Sequence, residues 1–155
     1  MIAEEMDMSL ALLHNLTCWP IQAMTYLSLN QRKESSKNKI TPESVETLKR
    51  WLRPDYLLYN HFLIKFKKQV SSYAEWLAQT VNKLKLENQK VHSDCVISHT
   101  DNSNGLKGAF RMWSSSSLGY KINEKNTWCK YYAISEMAYT NIIRQDHKAK
   151  KVWDL

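Results

Sequence analysis

The sequence predicts a mostly α-helical chain with a few short strands, and three observations carry that prediction. From Asp55 to Lys90 the residues Leu58, Phe62, Phe66, Val70, Tyr73, Leu77, Val81 and Leu84 recur at alternating steps of four and three, the spacing of one face of an α-helix. Only three Gly and three Pro serve the turns of 155 residues, too few for a many-turned β-sandwich. Thr41-Pro42-Glu43 adds a helix start: a hydroxyl cap, a proline at the first helical position and an acid in the positive first turn.

The chain opens abruptly. Met1-Ile2-Ala3 reads as the end of a buried strand, after which Asp7 or Ser9 caps a helix carrying Leu10, Leu13 and Leu16 to Trp19, with Pro20 as its stop. Residues 21–30 are β-prone, with Tyr26, Ser28 and Asn30 on one face and Leu27 and Leu29 on the other, and read as a strand. Residues 31–39 (QRKESSKNK) contain no apolar residue, so they are expected to form a flexible, solvated loop.

The helix begun at Thr41 is expected to bury Val45, Leu48, Trp51 and Leu52 and to stop before Pro54, because a residue preceding proline avoids the α region. Asp55 then serves as N-cap of one long helix reaching Lys90, about 50 Å at 1.5 Å per residue. Its other face reads Asn60, Lys67, Ser71, Ala78, Lys85 and Gln89. Full burial of the apolar stripe is worth about 12 to 24 kcal/mol gross, so the stripe needs a partner surface. Residues 92–117 read as loop-rich, with one short strand near Cys95 to Ile97. Leu118 to Ile122 suggests another strand, and Trp128 to Arg144 a last helix with Tyr132, Met137, Tyr139, Ile142 and Ile143 as apolar candidates.

The formal charge of +7 fits an anionic partner (nucleic acid, a phosphate-rich cofactor or an acidic membrane surface) and equally a solvated, lysine-rich exterior. Nucleic acid is disfavoured: in the aromatic, basic run from Tyr56 to Lys68, Phe62 and Phe66 belong to the core stripe, which turns them away from the lysines. No apolar run reaches the roughly 20 residues of a membrane span, and Met1 is followed by Glu4, Glu5 and Asp7 rather than by a basic leader. Glu4 and Glu5 read as charges favoured near a helix N-terminus.

Catalytic signatures are equally sparse. His14, His61, His92, His99 and His147 stand in unrelated contexts, with no GxSxG, GxxxxGK[ST] or GxGxxG. His61, beside Asn60, reads as a solvated helix residue rather than a base. Cys18, Cys95 and Cys129 show no zinc spacing. Asn15-Leu16-Thr17 matches a glycosylation sequon, but lies in a helix expected to be buried. No catalytic, cofactor-binding or metal-binding residue is assigned.

Five segments in order resemble the galactosylceramide sulfotransferases, the galactose 3-O-sulfotransferase family: AEEMDMSLALLHNLTCW, YLSLN, DYLLYNHFLIKFKKQV, LGYKI and WCKYYAISEMAY. The three cysteines also fall at matching places. Met6 stands where the family usually has Phe, Met8 where it has an acid, and Ser135 where Pro precedes the Glu, departures that bear on substrate preference.

The resemblance implies transfer of a sulfuryl group from 3′-phosphoadenosine 5′-phosphosulfate (PAPS) to the 3-hydroxyl of galactose on a glycolipid or glycan, at the luminal side of the Golgi membrane. It implies the P-loop-like α/β sulfotransferase fold, of which residues 1–155 form a single C-terminal portion. On that reading the donor-binding loop, the 3′-phosphate site and the membrane anchor lie outside these residues. The chain alone is then expected to bind no donor, and the face of its long helix that covers the sheet stays exposed, open to self-association. The alternative is a non-catalytic helical interaction module.

In an oxidising lumen the expected bridge is Cys95 with Cys129, both in the loop-rich C-terminal third, closing a loop of about 35 residues worth roughly 3 to 4 kcal/mol. Cys18, ending an apolar helix, reads as a buried thiol. In the cytosol the expectation is three reduced thiols.

Overall fold

A computed structural model describes residues 1–29, 31–100, 114 and 116–149, with side chains to 147. Its helices are α1 (Met6–Thr17), α2 (Pro42–Trp51), α3 (Arg53–Ser72), α4 (Ala74–Cys95) and α5 (Glu136–Ala149), and its strands are β1 (Val96–Thr100) and β2 (Gly119–Ile122). The chain is thus mostly helical, with one two-stranded antiparallel sheet. It divides into two compact units: residues 1–25 with 38–89, and residues 26–37 with 90–155.

In the first unit the stripe forms two helices rather than one. The break lies at Tyr73, whose φ of −122° and ψ of 22° leave the helical region. Two consecutive serines prepare it: Ser71 Oγ donates to the Lys67 carbonyl at 2.9 Å and Ser72 Oγ to that of Lys68 at 3.0 Å, back-bonds four residues away that compete with the helix ladder and bend it. The Tyr73 amide closes a short turn on the Val70 carbonyl, 3.2 Å away. Helix α4 then runs past Lys90 to Cys95.

The core of this unit is built by α1 against the C-terminal half of the stripe. Ala11, Leu12 and Leu77 are buried with Phe66, Val70 and Val81 packed around them, while Ile21, Met24 and Leu84 form a neighbouring cluster with Leu10 and Leu13. The N-terminal end of the stripe is uncovered: Leu58 and Phe62 are exposed, Phe62 at 52%. All six residues on the polar face are exposed as expected.

Several local expectations are corrected. Ile2 is buried but in no strand; the chain enters α1 through a 3-10 turn at Ala3–Glu5. Ser9 is no cap. Its buried hydroxyl accepts from the Ile2 amide at 3.0 Å and donates to the Ile2 carbonyl at 3.3 Å, tying the entry segment to the helix. Residues 21–24 form a 3-10 turn and the described residues 25–29 contain no strand, because Ile21 and Met24, three apart, both turn into the core. Asp55 lies in the first turn of α3 and not at its cap, which is Leu52.

Thr41 caps α2 as expected, its Oγ1 accepting from the Ser44 amide at 3.2 Å. Yet α2 buries nothing, and Leu48, Trp51 and Leu52 are all exposed. Cys18 is exposed, closing α1 in the left-handed region at φ 54°, so it is no core thiol.

The second unit is organised where α4 runs directly into β1. Cys95 and Cys129 form a disulfide, with Cα atoms 5.1 Å apart, and pack with buried Leu27 and Ile122 beneath Val91, Tyr120 and Tyr132. Strand β1 pairs with β2 in the register Val96 to Ile122 and His99 to Tyr120, with Ile97 inserted as a bulge. Asn123 caps α4, its amide donating to the Cys95 carbonyl at 2.8 Å and its Nδ2 to that of Asp94 at 3.2 Å. The basic segment 31–39 is partly anchored: the Lys33 amide donates to Ser116 and the Leu118 amide to Gln31, both at 2.8 Å. Of the loop-rich region 92–117, residues 92–95 are helical and the strand expected near Cys95 to Ile97 is β1 at 96–100, while 101–113 and 115 lie outside the described residues. The expected last helix is a 3-10 turn at Cys129–Tyr132 followed by α5.

Candidate functional site

Each unit carries a concave surface among its described residues. The first, about 650 Å³, is lined by Ile2 and by Leu58, Tyr59, Phe62 and Phe66 of α3, with Asp55, Lys65 and Gln69. The Lys65 ammonium lies 5.9 Å from the centre of the Phe62 ring. The expected separation of lysines from aromatics therefore fails at Phe62, because this part of the stripe has nothing over it. The Tyr59 hydroxyl is held above its ordinary range, first by reduced solvation and then by the Glu4 carboxylate.

The second cleft, about 510 Å³, belongs to the C-terminal unit and has a different chemistry. Thr127, Trp128, Tyr131, Tyr139, Ile142, Ile143 and Asp146 line it. Tyr139, Ile142, Ile143 and Asp146 stand at i, i+3, i+4 and i+7 along α5, so one helical face supplies all four. Ser135 starts that helix, its Oγ accepting from the Ala138 amide at 3.3 Å. Opposite α5, the Asn126 side chain accepts from the Trp128 amide at 3.1 Å, an Asx turn that sets the indole. The following 3-10 turn carries Tyr131 and is anchored through Cys129.

One ring pair is tilted and the other meets edge to face. Trp128 and Tyr131 are 6.0 Å apart at 56°, and Tyr131 and Tyr139 are 6.3 Å apart at 87°. Such a wall offers aromatic faces beside a carboxylate and a hydroxyl, a surface suited to a ligand with one apolar side and polar edges.

The structure brings together some of the residues considered from sequence and disperses others. His92 and His99 meet Tyr120, with centroid separations of 5.8 Å between the histidines and 4.9 Å from His99 to Tyr120. Burial holds the Tyr120 hydroxyl above its usual range, and it donates to the Ser28 carbonyl at 3.2 Å. His14 stacks on Trp76 and bonds the Trp19 carbonyl, and His61 meets only the edge of Phe62. Asn15 of the sequon is exposed, contrary to the burial expected for its helix, whereas Thr17 donates to the Leu13 carbonyl at 2.8 Å. No group of three His, Cys, Asp or Glu able to hold a metal occurs among the described residues. Nor is any described helix long and apolar enough to cross a membrane. The sequence reading named Tyr139, Ile142 and Ile143 only as core candidates and missed Trp128, Tyr131 and Asp146. The i, i+3, i+4, i+7 set ending on a carboxylate was the available signal.

The chain is 28% identical to human galactosylceramide sulfotransferase over 80% of its length, covering 31% of that protein. To the mouse galactosylceramide sulfotransferase it is 30% identical over 62% of the chain and 23% of the relative. To mouse galactose-3-O-sulfotransferase 2 it is 24% identical over 95% of the chain and 39% of the relative. The chain thus spans well under half the length of these relatives. No solved structure matches it. The model of the galactose-3-O-sulfotransferase family matches residues 1–145, taking in the first unit, most of the second, every residue of the first cleft and six of the seven lining the second. The chain belongs to the galactose-3-O-sulfotransferase family.

Proposed function

We propose that these residues are the C-terminal portion of a PAPS-dependent sulfotransferase acting on the 3-hydroxyl of galactose in a glycolipid or glycan. The match over residues 1–145 carries this reading. In the reaction the galactose oxygen forms a bond to sulfur, the bond from sulfur to the donor's phosphate oxygen breaks, and the acceptor proton passes to a base. The products are galactose 3-sulfate and adenosine 3′,5′-bisphosphate. Such transfer needs backbone amides and a cation against the departing phosphate, and a base at the acceptor hydroxyl. The sequence has no GxxxxGK[ST] loop to provide the phosphate cradle, so the 155 residues alone are proposed to be inactive. In the complete enzyme the fold is proposed to be the P-loop-like α/β sulfotransferase fold. The setting is the luminal side of the Golgi membrane, where the Cys95–Cys129 bridge stays oxidised.

The test uses a chimaera in which this chain replaces the matching part of human galactosylceramide sulfotransferase. Labelled PAPS and galactosylceramide or lactose are supplied to the chimaera and to the chain alone. Transfer by the chimaera and none by the chain is the expected result, and calorimetry should show no micromolar binding of adenosine 3′,5′-bisphosphate to the chain. A folded chimaera that leaves both acceptors unsulfated overturns the reading.

The exposed apolar face of α3 favours a second reading, a non-catalytic helical module that associates through that face. It predicts a partner or self-association without sulfate transfer in any context.

A further inference from the structure

We propose that the cleft between the Trp128–Tyr131 turn and α5 is a pyranose site that takes the galactosyl ring of the acceptor, an assignment that rests on the galactose reading above. The argument starts from what each wall can do. Trp128 is 73% exposed, so its indole presents a broad open face at the cleft. Tyr131 is partly engaged, because the Lys130 ammonium sits 4.9 Å from its ring centre, and Tyr139 meets it edgewise at 87°. The stacking surface is therefore the indole. Asp146, at the far end of the α5 face, and Thr127, next to Trp128, supply oxygen acceptors in the same cleft.

That combination selects among ligand classes. An acyl chain or an apolar helix filling the cleft would strip water from the Asp146 carboxylate and return no hydrogen bond, a costly burial. A nucleotide would stack on the indole equally well but bring phosphate charge towards the same carboxylate. A galactopyranoside meets both demands. Its axial 4-hydroxyl leaves the C–H bonds at carbons 3, 4 and 5 on one face, where their partial positive charge suits the indole π cloud. Its hydroxyls project from the ring edge as donors to an ionised acceptor. A glucoside, whose equatorial 4-hydroxyl breaks that C–H patch, fits less well.

The experiment is saturation-transfer NMR on the 155-residue chain with methyl β-galactoside, methyl β-glucoside and adenosine 3′,5′-bisphosphate, each at millimolar concentration. The galactoside is expected to receive saturation most strongly at H3, H4 and H5. The signal should fall at least tenfold in Trp128→Ala and be partly restored in Trp128→Phe. Asp146→Asn should weaken it several-fold. Trp128 is exposed, so its replacement leaves the buried clusters intact, and an unchanged circular dichroism spectrum checks this. A galactoside signal that survives Trp128→Ala, no signal from the wild type, or displacement of the sugar by the nucleotide each overturns the site. Sulfate transfer is not read in this experiment. Sugar binding with an inactive chimaera therefore refutes the enzymatic reading alone, and an active chimaera without sugar binding through Trp128 refutes the cleft alone.

Discussion

Cys18 ends α1 in the left-handed region at φ 54° with its thiol in solvent. A side chain bearing a Cβ pays roughly 1 to 2 kcal/mol there, and glycine returns part of that gain through its more flexible unfolded chain. Cys18→Gly is therefore expected to raise stability by about 0.5 to 1 kcal/mol, read from the urea midpoint. Tyr120 gives a pH dependence. Burial lifts its folded-state value above the unfolded 10.0, so the folded protein keeps the phenolic proton longer. This contribution is complete below pH 10 and is lost as pH climbs through the raised value. Urea midpoints measured on either side of pH 10 should fall less steeply in Tyr120→Phe than in the wild type. Leu84 is fully buried, and Leu84→Ala is expected to cost about 2 to 5 kcal/mol by leaving a cavity.

At the scale of elements, Phe66 and Lys67 are neighbours with opposite fates. Phe66 packs on the Ala11, Leu12 and Leu77 cluster, whereas Lys67 is exposed. Phe66→Asp is expected to destabilise the chain by about 3 kcal/mol or more, while Lys67→Asp stays within about 0.5 kcal/mol in thermal melts. What the sequence could reveal follows the range of the forces involved. The α2 start was legible because Thr41, Pro42 and Glu43 act on their own backbone. The α3 and α4 stripe was legible because periodicity is local. The interruption at Tyr73 hides in two serine hydroxyls, whose bonds to Lys67 and Lys68 change no hydropathy value. Residues 21–30 misled because Leu27 and Tyr26 carry strand propensity, yet Ile21 and Met24 are turned inward by packing against Leu84, which pattern does not report. Burial of α2 was overestimated for the same reason, since an amphipathic pattern asks for a cover without supplying one, whereas the exposure expected for part of the long stripe is seen at Leu58 and Phe62. In the second cleft α5 was readable from spacing. The Trp128 side was not, since its placement depends on an Asx turn at Asn126 and on a bridge between residues 34 apart.

Exposed apolar side chains occur in both units, and α3 carries several of them. Leu58 and Phe62 of the apolar stripe are exposed along α3, apolar surface of the kind that soluble proteins cover. Sedimentation over a range of concentrations is expected to show association of the chain, reduced by Phe62→Lys. A strictly monomeric wild type at high concentration would sink that expectation. In the family reading the same patch is where the rest of an enzyme would rest, so the chimaera should sediment without this association.

The bridge also gives the chain a closed ring. Everything between Cys95 and Cys129 is held at both ends, and that ring includes Lys107, Arg111, Lys121 and Lys125. A single tryptic cut at any of the four leaves the two pieces joined through sulfur. Clipped protein would therefore keep its full mass on a non-reducing gel and separate into fragments only when reductant is added, so an intact-looking band is no proof of an intact backbone.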